Sequence, residues 1–325
     1  MTVAAEAARL ISNIERVIIG KRAPVELVVT ALLSGGHVLL QDVPGVGKTM
    51  LARALARSIG GEASRIQCTP DLLPADITGS SVIDQRPQES GAPPARSLEL
   101  RFVPGPIFAN VVLVDELNRA TPRTQAAFLE PLDEGQVTVD GRTHPLPQPF
   151  FLLATLNPVE RHGIYPLPEG ELDRFALSTT LGYPGFEEEL QMLASHVAHH
   201  PIEDLAPVLT PEEVIALGRE VRRVHVSEAA RRYALRLVVG SRTAPGVILG
   251  CSPRAGIALL RAAQARAAIE GRSFILPDDV KALAPAVMAH RMLVRPEAGP
   301  AAGIIRTLLE EVPAPPEVPS PRARA

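Results

Sequence analysis

The stretch Asp42-Val43-Pro44-Gly45-Val46-Gly47-Lys48-Thr49 carries the residue types that hold polyphosphates. Gly45 and Gly47 permit a tight loop whose backbone N–H groups turn inward, a lysine follows as a point charge, and a hydroxyl comes next. In that chemistry Pro44, Gly45, Val46, Gly47, Lys48, Thr49 and Met50 form the cradle. Lys48 reaches the β- and γ-phosphates, and Thr49 gives its oxygen to Mg2+. The strict spacing asks for glycine at 42, where Asp42 stands instead. A Gly-Pro turn ahead of an ordinary helix is the competing reading. The second candidate is Asp115-Glu116, two adjacent acids closing the apolar run Val111-Val112-Leu113-Val114. Ligands of open α/β sheets bind beyond the carboxyl ends of the strands. An acid pair there suits an aspartate that holds the Mg2+ water shell beside a glutamate that orients and polarises an attacking water. Alone, such a pair is also a common strand-to-loop transition. Together the two motifs point to hydrolysis at a phosphate, which neither does by itself.

Positioning these groups requires a strand before each. Four short apolar runs, 37–42, 65–68, 110–116 and 150–157, are too brief for helices and suit strands covered on both faces, as in an open parallel sheet. Before them, Val3, Ala7, Leu10, Ile11, Ile14, Val17 and Ile18 recur at helical spacing and predict an amphipathic helix. After about Tyr183-Pro184-Gly185 the strand pattern stops. Thr210-Pro211-Glu212-Glu213 and Ser252-Pro253 are helix-start signals, so the second half is expected to be all-helical. The segment 136–149 centres on Asp140-Gly141, a two-residue hairpin signal. Residues 76–108 have paired prolines and weak core periodicity, and both segments are equally readable as solvent loops. The tail from Pro313 has the composition of a disordered segment.

Composition narrows the class. The chain has 325 residues, enough for two domains, with 33 basic against 36 acidic residues and a net charge of −3, so no global attraction for polyanions exists. With no tryptophan and 3% aromatics, platforms for stacking bases or sugars are poorly supplied. Cys68 and Cys251 lie far apart without metal-ligand spacing, which fits a reducing compartment. Charged residues interrupt the N-terminus and no apolar run approaches a membrane span, so a cytoplasmic protein is expected.

With VPGVGKT (43–49), RIQCTPDLLPADITG (65–79), VLVDELNRATPRTQAAFLEPL (112–132), ATLNP (154–158) and YPLPEGELDRF (165–175), the sequence resembles the AAA+ ATPases, and within them the MoxR family, over roughly residues 10 to 295. The resemblance implies an α/β P-loop nucleotide domain with a parallel sheet at 1–184, an all-helical lid domain at 185–312 and a Pro-rich tail at 313–325. It makes 76–108 the helix-2 insert and 136–149 the presensor-1 hairpin. Asn157 matches the sensor-1 residue, Arg174 the arginine finger that serves a neighbouring subunit, and Arg254 the sensor-2 arginine of the lid, acting on its own nucleotide or the neighbour's. Ile19 and Gly20 match the adenine-contacting turn. Bland readings stand beside these: Asn157 capping a turn before Pro158, Arg174 paired with Asp173 or Glu171, and Ile19-Gly20 as a helix end. Arg254 sits in a first helical turn, where the dipole disfavours a cation unless an anion is near. The cofactors implied are ATP and Mg2+. The partners are a homo-oligomeric, hexameric ring, a client protein and a von Willebrand factor A domain partner, with nucleic acid disfavoured. Chaperone-like remodelling or maturation of client complexes is the function implied. A nucleic-acid motor of helicase or restriction-subunit type is the alternative, drawing on the arginine run 219–242, as is a chelatase-type motor subunit for metal insertion.

Overall fold

The computed structural model describes residues 2–84, 99–157, 163–198 and 201–315. Two helices open the chain, α1 (Val3–Glu15) and α2 (Arg22–Ser34), ahead of β1 (Val38–Gln41), α3 (Lys48–Ser58) and β2 (Ala63–Gln67). A single turn, α4 (Pro74–Thr78), leads into β3 (Gly79–Asp84) and β4 (Glu99–Pro104), after which the chain returns as β5 (Val111–Asp115). The short helices α5 (Pro122–Gln125) and α6 (Leu129–Glu134) precede β6 (Gln136–Val139) and β7 (Arg142–Pro145). β8 (Phe151–Leu156), α7 (Glu169–Leu172) and β9 (Leu177–Thr179) follow. From there the chain is helical: α8 (Phe186–Ala198), α9 (Pro211–Val221), α10 (Glu228–Thr243), α11 (Pro253–Ile269), α12 (Pro277–Met288) and α13 (Ala301–Glu311).

The five parallel strands run in the order β2-β5-β8-β1-β9. The four apolar runs supply four of them. β9 lacked a sequence signal because it is three residues long and follows directly on a helical turn. Alternation along the strands splits the core in two: Val38, Leu40, Val111, Leu113, Phe151 and Leu153 pack on one face, and Leu39, Val112, Val114, Leu152 and Ala154 on the other. Both faces are covered, which is why β5 is buried at every position and reads as continuously apolar.

The first cluster continues through α1 and α2 into α9–α13, tying the helical half to the sheet. Capping follows the sequence: Thr210 Oγ1 accepts from the Glu213 N–H at 3.3 Å while the Glu213 carboxylate accepts from the Thr210 N–H at 2.8 Å, and Ser252 Oγ accepts from the Arg254 N–H. The helical half also holds one short antiparallel pair, β10 (Val247–Leu249) with β11 (Leu293–Val294), too brief to leave a period-2 signature.

Two ribbons project from the α/β half. β3 and β4 pair antiparallel, as do β6 and β7 around Asp140 and Gly141, both at positive φ (50° and 74°) as a tight two-residue turn requires. The rings of Phe102 on β4 and His144 on β7 stack at 4.0 Å and 18°, joining the ribbons. The Gly-Ala-Pro-Pro tip of the 76–108 segment lies outside the described residues, as does the tail beyond 315. Just before that, Val312 and Ala314 rest against the core, so packing extends past the first proline of the expected tail.

Candidate functional site

At the carboxyl end of β1 the chain turns through 42–47 and enters α3, whose first residue is Lys48. Gly45 and Gly47 have φ of +85° and +94°, a region side chains rarely adopt, and open space surrounds the point where each Cβ would stand. The loop is therefore an open cradle, and α3 has no side-chain N-cap, so the N–H groups of its first turn remain available to an anion. Lys48 is buried, its Nζ donating only to the carbonyl of Asp42, at 3.3 Å. The donor set fits a polyphosphate. Val46 and Met50 pack against the core beneath, while Pro44 is exposed.

Asp42, the departure from the strict motif, has a structural task. Its buried carboxylate accepts the N–H of Leu181 and that of Gly182 (3.1 Å), anchoring the loop to the segment that follows β9. Lys21 Nζ donates to the Tyr183 carbonyl at 2.6 Å, so the turn at Ile19-Gly20 borders the same segment. Gly20 is left-handed (φ 72°) and faces the Glu188 side chain. Ile19 and Gly20 thus border the segment 181–188 that Asp42 ties to the loop.

Asp115 ends β5 and Glu116 follows it. Asp115 accepts Thr155 Oγ1 at 2.7 Å and pairs with Arg65 at 2.6 Å. Glu116 is held left-handed (φ 56°), at a cost of about 1 kcal/mol for a non-glycine residue. Its N–H donates to Thr155 Oγ1 at 2.8 Å, and its carboxylate accepts Gln67 Nε2 at 2.9 Å and pairs with Arg119 at 3.3 Å. Thr155 therefore fixes both acids through one hydroxyl. Burial pushes the Cys68 thiol behind them up to about 12, helped by the charges of Asp115 and Glu116, so this free cysteine stays protonated. Asn157 is buried just past the end of β8, the strand between β5 and β1, which puts it between the acid pair and the loop. Among the described residues no cluster of three His, Cys, Asp or Glu side chains could hold a metal alone. Thr49 and Asp115 would supply two protein ligands to such an ion, which suits an Mg2+ that keeps waters and leans on phosphates.

Arg174 and Arg254 lie elsewhere. Ala176 N–H donates to the His37 carbonyl at 2.8 Å, so the segment carrying Arg174 sits at the amino end of β1. Four residues of β1, roughly 13 Å at strand rise, separate it from the loop. The Arg174 guanidinium pairs with Asp133 at the end of α6, and Arg254 approaches the same carboxylate at 3.6 Å. Arg174 thus pairs with neither Asp173 nor Glu171. Asp173 instead takes Ser252 Oγ at 2.7 Å and the buried Arg291 at 2.9 Å, riveting the α11 cap to the sheet and fixing Arg254 beside Arg174. Burial, and then the charge of Arg254, holds Arg174 below the usual arginine range, and its buried Nε has no partner. A cavity of about 440 Å3 lined by Asp133, Arg174, Arg254, Ile257 and Arg261 opens here.

Sequence reasoning passed over Arg65, Gln67, Arg119, Thr155 and Asp133. Arg65 and Gln67 point the same way from β2 and reach the acids only because β2 pairs with β5 in the register Gln67 opposite Asp115. That alternation was visible, but the pairing was not.

The fold and loop define a P-loop nucleotide-binding protein of the AAA type. The profile of the ATPase family associated with various cellular activities matches residues 37–177, and that of the AAA lid domain matches 239–311. The uncharacterized protein YeaC of Bacillus subtilis is 48% identical, covering 94% of both chains. Chaperone MoxR1 of Mycobacterium tuberculosis is 38% identical over 88% of this chain and 75% of its own. A crystal structure of a candidate ATPase from Cytophaga hutchinsonii superposes with a TM-score of 0.86 at 32% identity, covering 96% of each chain. The chain belongs to the MoxR family of AAA+ ATPases. No helix among the described residues is long and apolar enough to cross a membrane.

Proposed function

We propose that the protein is a Mg2+-dependent ATPase that works as a homo-oligomeric ring, with hexameric stoichiometry, and remodels client protein complexes in the cytoplasm. When bound, ATP supplies the anhydride to be cleaved and Mg2+ offsets its phosphate charge. Lys48 and the N–H groups of 45–50 bind the phosphates, Thr49 and Asp115 hold the metal, and Ile19 and Gly20 border the adenine side. Glu116 takes the proton from the attacking water, and Asn157 orients that water. The domain division at 184 and 312 belongs to the same reading.

The observation that carries it is the separation of Arg174 and Arg254 from the chain's own loop. Both cations converge at the amino end of the sheet, and the loop opens at the carboxyl end, so neither arginine can serve its own nucleotide without breaking the Asp173 rivet. A second copy brings the two ends together. On this reading Arg254 acts in trans, together with Arg174.

Mixing tests it. Lys48→Ala subunits still offer Arg174, and Arg174→Ala subunits still offer an intact loop. Each alone should be inactive, and rings containing both should recover ATPase activity. Demonstrably mixed rings without recovery refute the shared site.

The client reading draws on MoxR1's name as a chaperone and on the joined ribbons, with a von Willebrand factor A domain protein as a fitting partner. Arg223 pairs with Glu220, Arg232 pairs with Glu228 along α10, and Arg242 donates to the Cys251 carbonyl, so the 219–242 run gives a nucleic-acid reading little support.

A further inference from the structure

α8 carries Phe186, Leu190 and Leu193 at i, i+4 and i+7, one face of the helix, and they are 81%, 53% and 63% exposed. Unlike α9–α13, it makes no substantial packing contact with any other element among the described residues. An apolar stripe that the described residues leave exposed calls for a cover.

Its position says where the cover comes from. α8 starts four residues after Gly182, which Asp42 ties to the phosphate loop, and Lys21 holds the intervening Tyr183 carbonyl. It therefore departs from the carboxyl end of the sheet. The outer face of α11 departs from the other end: Arg254, Ile257 and Arg261 line the arginine cavity on successive turns, and Ile257 is 54% exposed. The two helices are complementary in charge. α8 holds Glu187, Glu188 and Glu189 and no lysine or arginine, whereas α11 holds Arg254, Arg261 and Arg266 and no acid. Pairing α8 with α8 would bring two acidic helices together with no lysine or arginine on either to offset them, which favours the basic α11 face as the partner surface.

We propose that the α8 stripe docks on the α11 outer face of a second copy, beside that copy's arginine cavity, in a heterologous contact repeated from subunit to subunit. The inference rests on the shared-site reading and names the surface that brings its two ends together.

The test uses the full chain with Mg2+ and a slowly hydrolysed ATP analogue, with mass followed by light scattering. The wild type should assemble. Leu190→Asp with Leu193→Asp should stay monomeric at the same concentration, with analogue affinity within about twofold of wild type and an unchanged monomer unfolding temperature. Glu187→Arg with Glu189→Arg should weaken assembly by an order of magnitude or more, and adding Arg261→Glu to that chain should restore it. Wild-type assembly by the aspartate variant, a charge reversal that Arg261→Glu fails to relieve, or a wild type that stays monomeric at high micromolar concentration overturns the proposal. So does a lowered monomer unfolding temperature, because the stripe would then be covered by its own chain. Recovery in the Lys48→Ala and Arg174→Ala mixture, alongside normal assembly of the aspartate variant, refutes the α8 contact alone. Loss of assembly without recovery refutes the shared site alone.

Discussion

At the carboxyl end of the sheet both acids already have partners within the chain: Asp115 has Thr155 and Arg65, and Glu116 has Gln67 and Arg119. At the amino end two arginines crowd a single carboxylate, Asp133, and the buried Nε of Arg174 has no partner at all. A satisfied network keeps its geometry without help, whereas an under-neutralised cationic cluster gains by meeting an anion. On the proposed reading the first end is a site for a small ligand, and the second is half of a site completed by another copy.

The sharpest way to break that contrast is at the carboxyl end. Lys48→Ala should abolish measurable ATP binding by calorimetry, since the loop holds no other cation. Glu116→Gln should keep affinity while turnover falls by a factor on the order of 10² or more, about 2.7 kcal/mol in the barrier. Turnover equal to wild type would remove Glu116 as the base.

Acid should act on the opposite end. Burial lowers His37 to about 4 and His290 to about 3, and both brace the amino end: His37 through the Leu152 N–H and the Leu132 carbonyl, His290 through the Phe175 carbonyl beside Arg174. The unfolded chain binds these protons first, so the stability the neutral rings contribute is complete above about pH 6.5 and is lost as pH falls toward 4 and then 3. At pH 5 the loss is on the order of 2 kcal/mol per ring. Hydrogen exchange across 173–177 should rise on acidification before exchange across 111–115 does, and simultaneous opening would erase the difference between the ends.

How far each end could be read in advance differs for a physical reason. The loop at 42–49 and the acids at 115–116 are local motifs, set by a few consecutive residues around a strand end, and the four apolar runs around them are strands. The amino end is assembled from Asp133, Asp173, Arg174, Ser252 and Arg291; Arg174 is marked only through the family resemblance and Ser252 only as a helix start, and nothing local signals that the five meet. Only the parallel return of β9 beside β1 brings them together, and β9 is too short to announce itself. Asp42 shows the same limit at the carboxyl end: it looked like a defect in a motif, yet it is the tie to residues 181 and 182.

A smaller effect sharpens how the acids are held. Thr155→Val keeps the shape of the side chain but leaves the Glu116 N–H and one Asp115 oxygen without their partner. An unsatisfied buried group costs roughly 1–3 kcal/mol, so turnover should drop about tenfold. ATP affinity should hold, because the loop itself is untouched. A variant that loses binding and turnover equally would mean that Thr155 supports the fold of β8 and not the placement of the acids.

The smallest effect is expected at the exposed turn of the β6–β7 hairpin. Arg142 follows the Asp140-Gly141 turn and is exposed, whereas His144 stacks on Phe102 and so holds the hairpin against the β3–β4 ribbon. The two residues should therefore separate. Arg142→Ala should leave basal ATPase within about twofold, under roughly 0.4 kcal/mol, while weakening stimulation by a client. His144→Ala removes an aromatic contact of about 1 kcal/mol that joins the ribbons, so it should also raise hydrogen exchange in 99–104. If Arg142→Ala instead lowers ATP binding with the fold intact by circular dichroism, the hairpin belongs to the nucleotide site and the contrast between the sheet's two ends needs a third member.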